Sequence, residues 1–194
     1  MSKMIITLVD TEINIKNGKI IFPEENSETQ YEFNKLQNTY KININNFDYE
    51  LVCPQVITDT NEISILWPSF KLPRRKYPVY VYIYAVALYL NTNKSMRKVA
   101  EEVRKKFGLE KFSHSTLSRC LKKLKENLET LTELALVNSE NKELFKRKQW
   151  DENRTKQYRT LLEIISPILQ NSKTTQFGSS LNFKFFEKTK KFPI

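Results

Sequence analysis

Residues 95–124 read SMRKVAEEVRKKFGLEKFSHSTLSRCLKKL, and the reading of this stretch decides the class of fold. Ser95 carries a hydroxyl of the kind that accepts a hydrogen bond from the free N–H groups at a helix start. Behind it Val99, Ala100, Val103 and Phe107 recur at helical spacing and make one apolar stripe. Gly108 stands where a helix commonly ends in the left-handed conformation that glycine adopts without strain. After the short connection 109–112, Ser113 caps a further helix, on which Leu117, Leu121, Leu124, Leu128 and Leu131 alternate spacings of four and three. The pattern therefore predicts two amphipathic helices joined by a tight turn, the second running unbroken through Leu131.

Upstream, Pro78 suits the first turn of another helix, because its missing N–H has no partner there in any case. Val79, Ile83, Val86, Ala87 and Leu90 then share one face, although the alternation of Val or Ile with Tyr from Val79 to Tyr84 also suits a strand. Ahead of it, Lys71 to Pro78 holds two prolines and four cations and reads as a hinge. The first 70 residues change period to that of strands. Residues 13–16 and 19–22 flank Asn17-Gly18, a pair suited to the positive φ angles of a type I′ hairpin turn. Alternation recurs at Tyr40 to Ile44, Tyr49 to Cys53 and Ile63 to Trp67, with turns at Asn45-Asn46 and Thr58 to Asn61 and a polar loop from Pro23 to Gln30.

Downstream, Tyr158, Leu161, Leu162, Ile165 and Leu169 keep helical register up to a kink at Pro167. The tail from Ser172, with Phe177, Phe183, Phe185 and Phe186, is too apolar to hang free and either adds a strand or docks on the core. The expected class is α+β: an acidic β-rich region (1–72), a basic helical region (73–137), and a C-terminal helical extension and tail (138–194).

Charge follows the same division. Residues 1–70 carry five basic and ten acidic side chains, net −5; residues 71–150 carry nineteen and eight, net +11; residues 151–194 carry eight and four, net +4. A surface made only for solubility does not need this asymmetry, whereas a polyanion-binding module joined to an acidic region produces it. The longest apolar run, Val79 to Leu90, is too short for a membrane span, and the N-terminal residues reach Asp10 too soon for a signal peptide, so no membrane partner and a cytoplasmic location are expected. Cys53 and Cys120 are too few for a disulfide framework.

Two short helices joined by a turn, the second opening with hydroxyls and cations, are what reading a major groove requires. The expected partner is double-stranded DNA. Ser113, His114, Ser115, Thr116, Ser118 and Arg119 lie at the start of the second helix. Ser115, Arg119 and Lys122 fall at i, i+4 and i+7 on the side opposite the leucines. Arg119 is the candidate for a bidentate contact with guanine, and Arg97, Lys98, Lys122 and Lys123 are expected to meet phosphates. The far end of the leucine ladder leaves a homodimer as an alternative use of Leu128 and Leu131. The tyrosines from Tyr77 to Tyr89 are expected in the core, not as base-stacking platforms. His114, the only histidine, has no nearby partners for metal or catalytic work.

The run Leu72-Pro73, Tyr77, then Ser95 to Val103, then Phe112 to Arg119 resembles the helix-turn-helix of bacterial insertion-sequence transposase-related proteins, over about 60 residues. The resemblance implies a DNA-binding, transposase-like protein of mobile-element origin, with a zinc ribbon ahead of the helices. The chain departs from that pattern: Cys53-Pro54 is followed by Val56 where a second cysteine belongs, so zinc is not expected. Its four aspartates, Asp10, Asp48, Asp59 and Asp151, leave little material for a nuclease triad. No catalytic residue and no cofactor are expected, and the competing class is a protein-interaction or structural module of a phage or mobile element.

Overall fold

The computed structural model describes residues 3–7, 15–16, 19–21, 32–58, 60–137, 152–170 and 174–194. Strands precede helices in an α+β arrangement. The strands are β1 (Lys3–Thr7), β2 (Ile15–Lys16), β3 (Lys19–Ile21), β4 (Glu32–Ile44), β5 (Phe47–Ile57) and β6 (Ile63–Pro68). The helices are α1 (Val79–Leu90), α2 (Met96–Phe107), α3 (His114–Glu126), α4 (Leu128–Val137), α5 (Glu152–Ile165) and α6 (Thr174–Thr189), with a 3₁₀ turn Ser166–Leu169 after α5.

The sheet is organised around β5. Its one edge carries β4 antiparallel from Ile44↔Phe47 to Glu32↔Ile57. Its other edge is shared, β3 lying parallel against Glu50 to Val52 and β6 antiparallel against Gln55 to Ile57. β1 runs parallel outside β6, and β2 pairs β3 as Ile15↔Ile20 and Lys16↔Lys19. That register is the one expected around Asn17-Gly18; those two residues, and the expected loop Pro23 to Gln30, lie outside the described residues. The β4–β5 turn is Asn45-Asn46, with φ of 50° and 68°, a left-handed pair that asparagine tolerates better than most side chains. Pro54 cannot donate to the ladder, and the β4–β5 register shifts beside it, between Phe33 and Gln37. Strand pairing thus begins at Glu32, well before Tyr40, and β1 is a further strand that alternation alone does not single out.

The expected hinge is packed. Lys71, Leu72, Tyr77 and Pro78 are buried, the backbone of Lys71 bridges Pro78, and Val79 N donates to Phe70 O at 2.7 Å. Pro78 stands one place earlier than expected, as the N-cap residue with φ −58° and ψ 154°. The helical alternative holds for Val79 to Leu90. Instead of one buried face, α1 buries Val79 to Ile83, Ala85 to Ala87 and Leu90 on all sides, because α5 and α6 pack on it as well as α2 and α3. Such a helix is apolar all round, which is why it also reads as a buried strand.

The leucine ladder does not form one helix: α3 ends at Glu126, Asn127 caps it, and α4 begins at Leu128. Leu131 is nevertheless fully buried within the chain, in the cluster that holds Leu117 and Leu124. The apolar tail becomes α6, docked so closely that a Cβ at Gly178 would meet the Tyr80 Cβ at 2.6 Å. Asn182 of α6 donates to Ser69 O at 2.6 Å, tying the helices to the end of the sheet. Among the described residues no helix is long and apolar enough to cross a membrane.

Candidate nucleic-acid interface

The helix ends are built as the residue types dictate. Ser95 caps α2, its Oγ accepting from Lys98 N at 3.4 Å. Gly108 takes φ +58°, and both its N–H and that of Leu109 turn back to Arg104 O, so the carbonyls at the end of α2 are satisfied as the chain reverses. Leu109 and Phe112 are buried in the same cluster as α1, while the Phe112 ring lies 6.3 Å from Tyr77 and 6.0 Å from Tyr82. The Tyr77 hydroxyl donates to Lys111 O across the turn. Held at both ends in this way, the turn fixes the direction in which α3 leaves it.

On α3, Leu117, Cys120, Leu121 and Leu124 face inward with Val99, Ala100 and Val103 of α2. His114, Ser115, Ser118, Arg119, Lys122 and Lys123 are exposed together on the outer side. Ser113 and Thr116 are engaged in the cap: Ser113 Oγ accepts from Thr116 N at 3.1 Å and is hydrogen-bonded to Thr116 Oγ1 at 3.0 Å. Arg119 Nε donates to Ser115 O at 3.3 Å, which steadies the side chain against its own helix. Its outer guanidinium nitrogens make no hydrogen bond among the described residues. Arg97 and Lys98 belong to the first turn of α2 and are exposed.

The charges on this surface differ in how far they are satisfied. Lys123 and Lys122 reach Glu126 at 3.0 and 3.9 Å, and hydrogen bonding to Lys123 holds the Glu126 carboxyl below its ordinary range. Lys105 does the same to Glu101. Arg97, Lys98, Arg104 and Arg119 form no ion pair among the described residues. A helix of this diameter with unpaired cations and hydroxyls on one side has the dimensions and donors to meet an anionic groove.

One contributor is not visible as such in the sequence. Arg74, Arg75 and Lys76 read there as hinge residues, yet the fold brings Arg75 and Lys76 beside α3 and its turn. Arg75 lies over the Tyr82 ring at 5.7 Å, and its charge, with that of Arg119, acts on the Cys120 thiol, which burial pushes up to about 11. The cations of residues 71–78 are the available signal; the loop is held to β4 by Asn43 N donating to Lys76 O at 2.8 Å and to the turn before α3 by the Tyr77 hydroxyl and the Lys76–Glu110 pair, across more than thirty residues in each case.

The zinc ribbon that the resemblance carries does not fit this chain. Cys53 is fully buried in the sheet among Ile20, Ile42, Leu51, Ile65, Trp67 and Phe70, none of which can ligate a metal. Among the described residues no three His, Cys, Asp or Glu side chains gather to hold a metal. Comparison with protein families, curated proteins and solved structures returned no match to this chain.

Proposed function

We propose that the chain binds double-stranded DNA and reads its sequence with α3 lying in the major groove. It acts without catalysis of its own, in the cytoplasm, as an accessory transposition factor or regulator of mobile-element origin. The observation that carries this reading is the outer face of α3, where Arg119, with no ion pair among the described residues, is exposed beside Ser115, Ser118 and Lys122. A guanidinium there matches the O6 and N7 acceptors of guanine in a bidentate pair, and the neighbouring hydroxyls serve adjacent base edges or phosphates. Arg97, Lys98 and Lys123 add phosphate contacts that set affinity and register without reading sequence. The likeness of residues 95–119 to transposase-related helix-turn-helix segments supports the mobile-element origin.

The test is selection from a pool of random duplex DNA at two salt concentrations, with the double variant Arg119→Ala, Lys122→Ala alongside. Wild-type protein is expected to enrich one motif and to bind more weakly as salt rises, and the double variant to enrich none. Absence of salt-sensitive duplex binding by the wild type overturns the proposal and turns attention to a protein partner.

A further inference from the structure

We infer that the β4–β5 hairpin tip and the Arg74 loop form a second arm that grips the phosphate backbone of the same duplex, beside the groove entered by α3. The inference rests on the DNA-binding reading above. Its foundation is the approach of the hairpin to the turn between α2 and α3: a Cβ placed on Gly108 would stand 3.5 Å from the backbone of Asn45. Hairpin, loop and turn are tied to one another at Lys76. Its carbonyl accepts from Asn43 N, and its ammonium lies 3.8 Å from Asp48 and 4.0 Å from Glu110. The tip therefore abuts the turn that leads into α3, and not a remote part of the sheet.

What this arm offers outward matches a nucleic-acid backbone. Asn45 and Asn46 are exposed, with carboxamides free to donate to phosphate oxygens, and Phe47 is 65% exposed, an apolar face of the size that packs on sugars or wedges at a groove edge. Arg74 is exposed and forms no ion pair among the described residues. It holds φ +58°, a conformation unfavourable for arginine, after Pro73 in the turn that Arg75 N closes on Leu72 O at 3.3 Å. The two nearby carboxylates do not oppose an anion at full strength. Asp48 accepts from Asn43 Nδ2 at 2.6 Å and faces Lys76, and Glu110 is shared by Lys76 and Lys111.

The test uses the full chain and the duplex motif recovered by selection. The variant Phe47→Ser, Arg74→Gly removes an exposed ring and a charge, and glycine keeps the positive φ, so an unchanged melting temperature is expected. Affinity should fall about 5-fold or more, and the slope of log affinity against log salt should flatten by about 1, because one phosphate is no longer neutralised. The hydroxyl-radical footprint should shorten on one flank while the selected motif stays the same. As a second measurement, Asn46→Cys carrying a thiol-linked photo-cross-linker should cross-link to that flank, Cys53 and Cys120 being buried. Unaltered affinity, slope and footprint, or no cross-link, with the wild type still selecting its motif, overturn the arm and leave the role of α3 intact. A wild type that binds no duplex overturns both. Loss of the motif in the Phe47 and Arg74 variant but not in Arg119→Ala overturns the division of labour, because the hairpin would then be the reader.

Discussion

Around α1 one apolar cluster takes in side chains from all six helices, whereas among the described residues the buried cluster of the sheet consists of Ile20, Ile42, Leu51, Cys53, Ile65, Trp67 and Phe70. The two regions also treat charge differently. Every cation of α2 and α3 points outward, while just after β6 Lys71, 2% exposed, is buried beside Cys53 with its ammonium donating to Arg75 O. The helical region is thus a rigid apolar body that presents a charged surface. The sheet carries a polar strain within and rests on the helices through Asn182 and the Lys71–Pro78 bridge.

The contrast can be broken most severely at Gly178. An alanine there places its Cβ 2.6 Å from the Tyr80 Cβ and 2.8 Å from the Tyr80 Cα, where backbone and not a flexible chain end must move. A loss of about 3 kcal/mol in urea denaturation is expected for Gly178→Ala. A loss under about 0.5 kcal/mol would show that α6 is not part of the rigid body.

On the sheet's side the probe is Lys71. Desolvation lowers its pKa from 10.5 to about 8, only partly countered by Cys53. Below pH 8 the ammonium is charged in folded and unfolded chains alike and the full penalty of burying it applies. Between pH 8 and 10.5 the unfolded chain binds more protons, so this group adds stability as pH rises. Cys53 and Cys120 act oppositely above pH 9, since burial pushes their thiols up to about 12 and 11 while the unfolded thiols ionise. The difference between wild type and Lys71→Met isolates the lysine: from pH 7 to pH 9 wild type should gain about 1 kcal/mol relative to the variant. Parallel pH curves for the two proteins would mean that the buried ammonium is well solvated, and the polar strain of the sheet would disappear from the comparison.

The smallest effect sharpens the division between capping and contact on α3. Ser113→Ala should lower stability by about 0.5–1 kcal/mol because Thr116 N then has no cap, and Ser113→Asn should restore most of it. Duplex affinity that falls by a further 10-fold in both variants would show that Ser113 also touches DNA.

Much of the helical region is legible in the sequence because its determinants are local. Ser95, Gly108 and Ser113 act within one turn of the backbone they terminate, and the apolar stripes of α2 and α3 repeat over a dozen residues. The β2–β3 pairing and the turn at Asn45-Asn46 are legible for the same reason. The break at Asn127, the all-round burial of α1 and the helical state of 174–189 are not, because each depends on which neighbour a segment meets. Within the candidate site, the exposed face of α3 follows from periodicity alone, while the approach of Asn45 to Gly108 does not.

By itself the sequence determined that strands precede helices, the caps of α2 and α3, and the positive charge gathered on those two helices, since period, capping chemistry and charge are properties of residues and their near neighbours. Only the tertiary structure decided that β3 and β6 share one edge of β5, that Lys71 is buried in what reads as a hinge, and that the tip of the β4–β5 hairpin abuts the turn before α3. Those outcomes depend on contacts between segments tens of residues apart. Such contacts form only where enough apolar surface is buried together to offset the entropy of closing the loops between them.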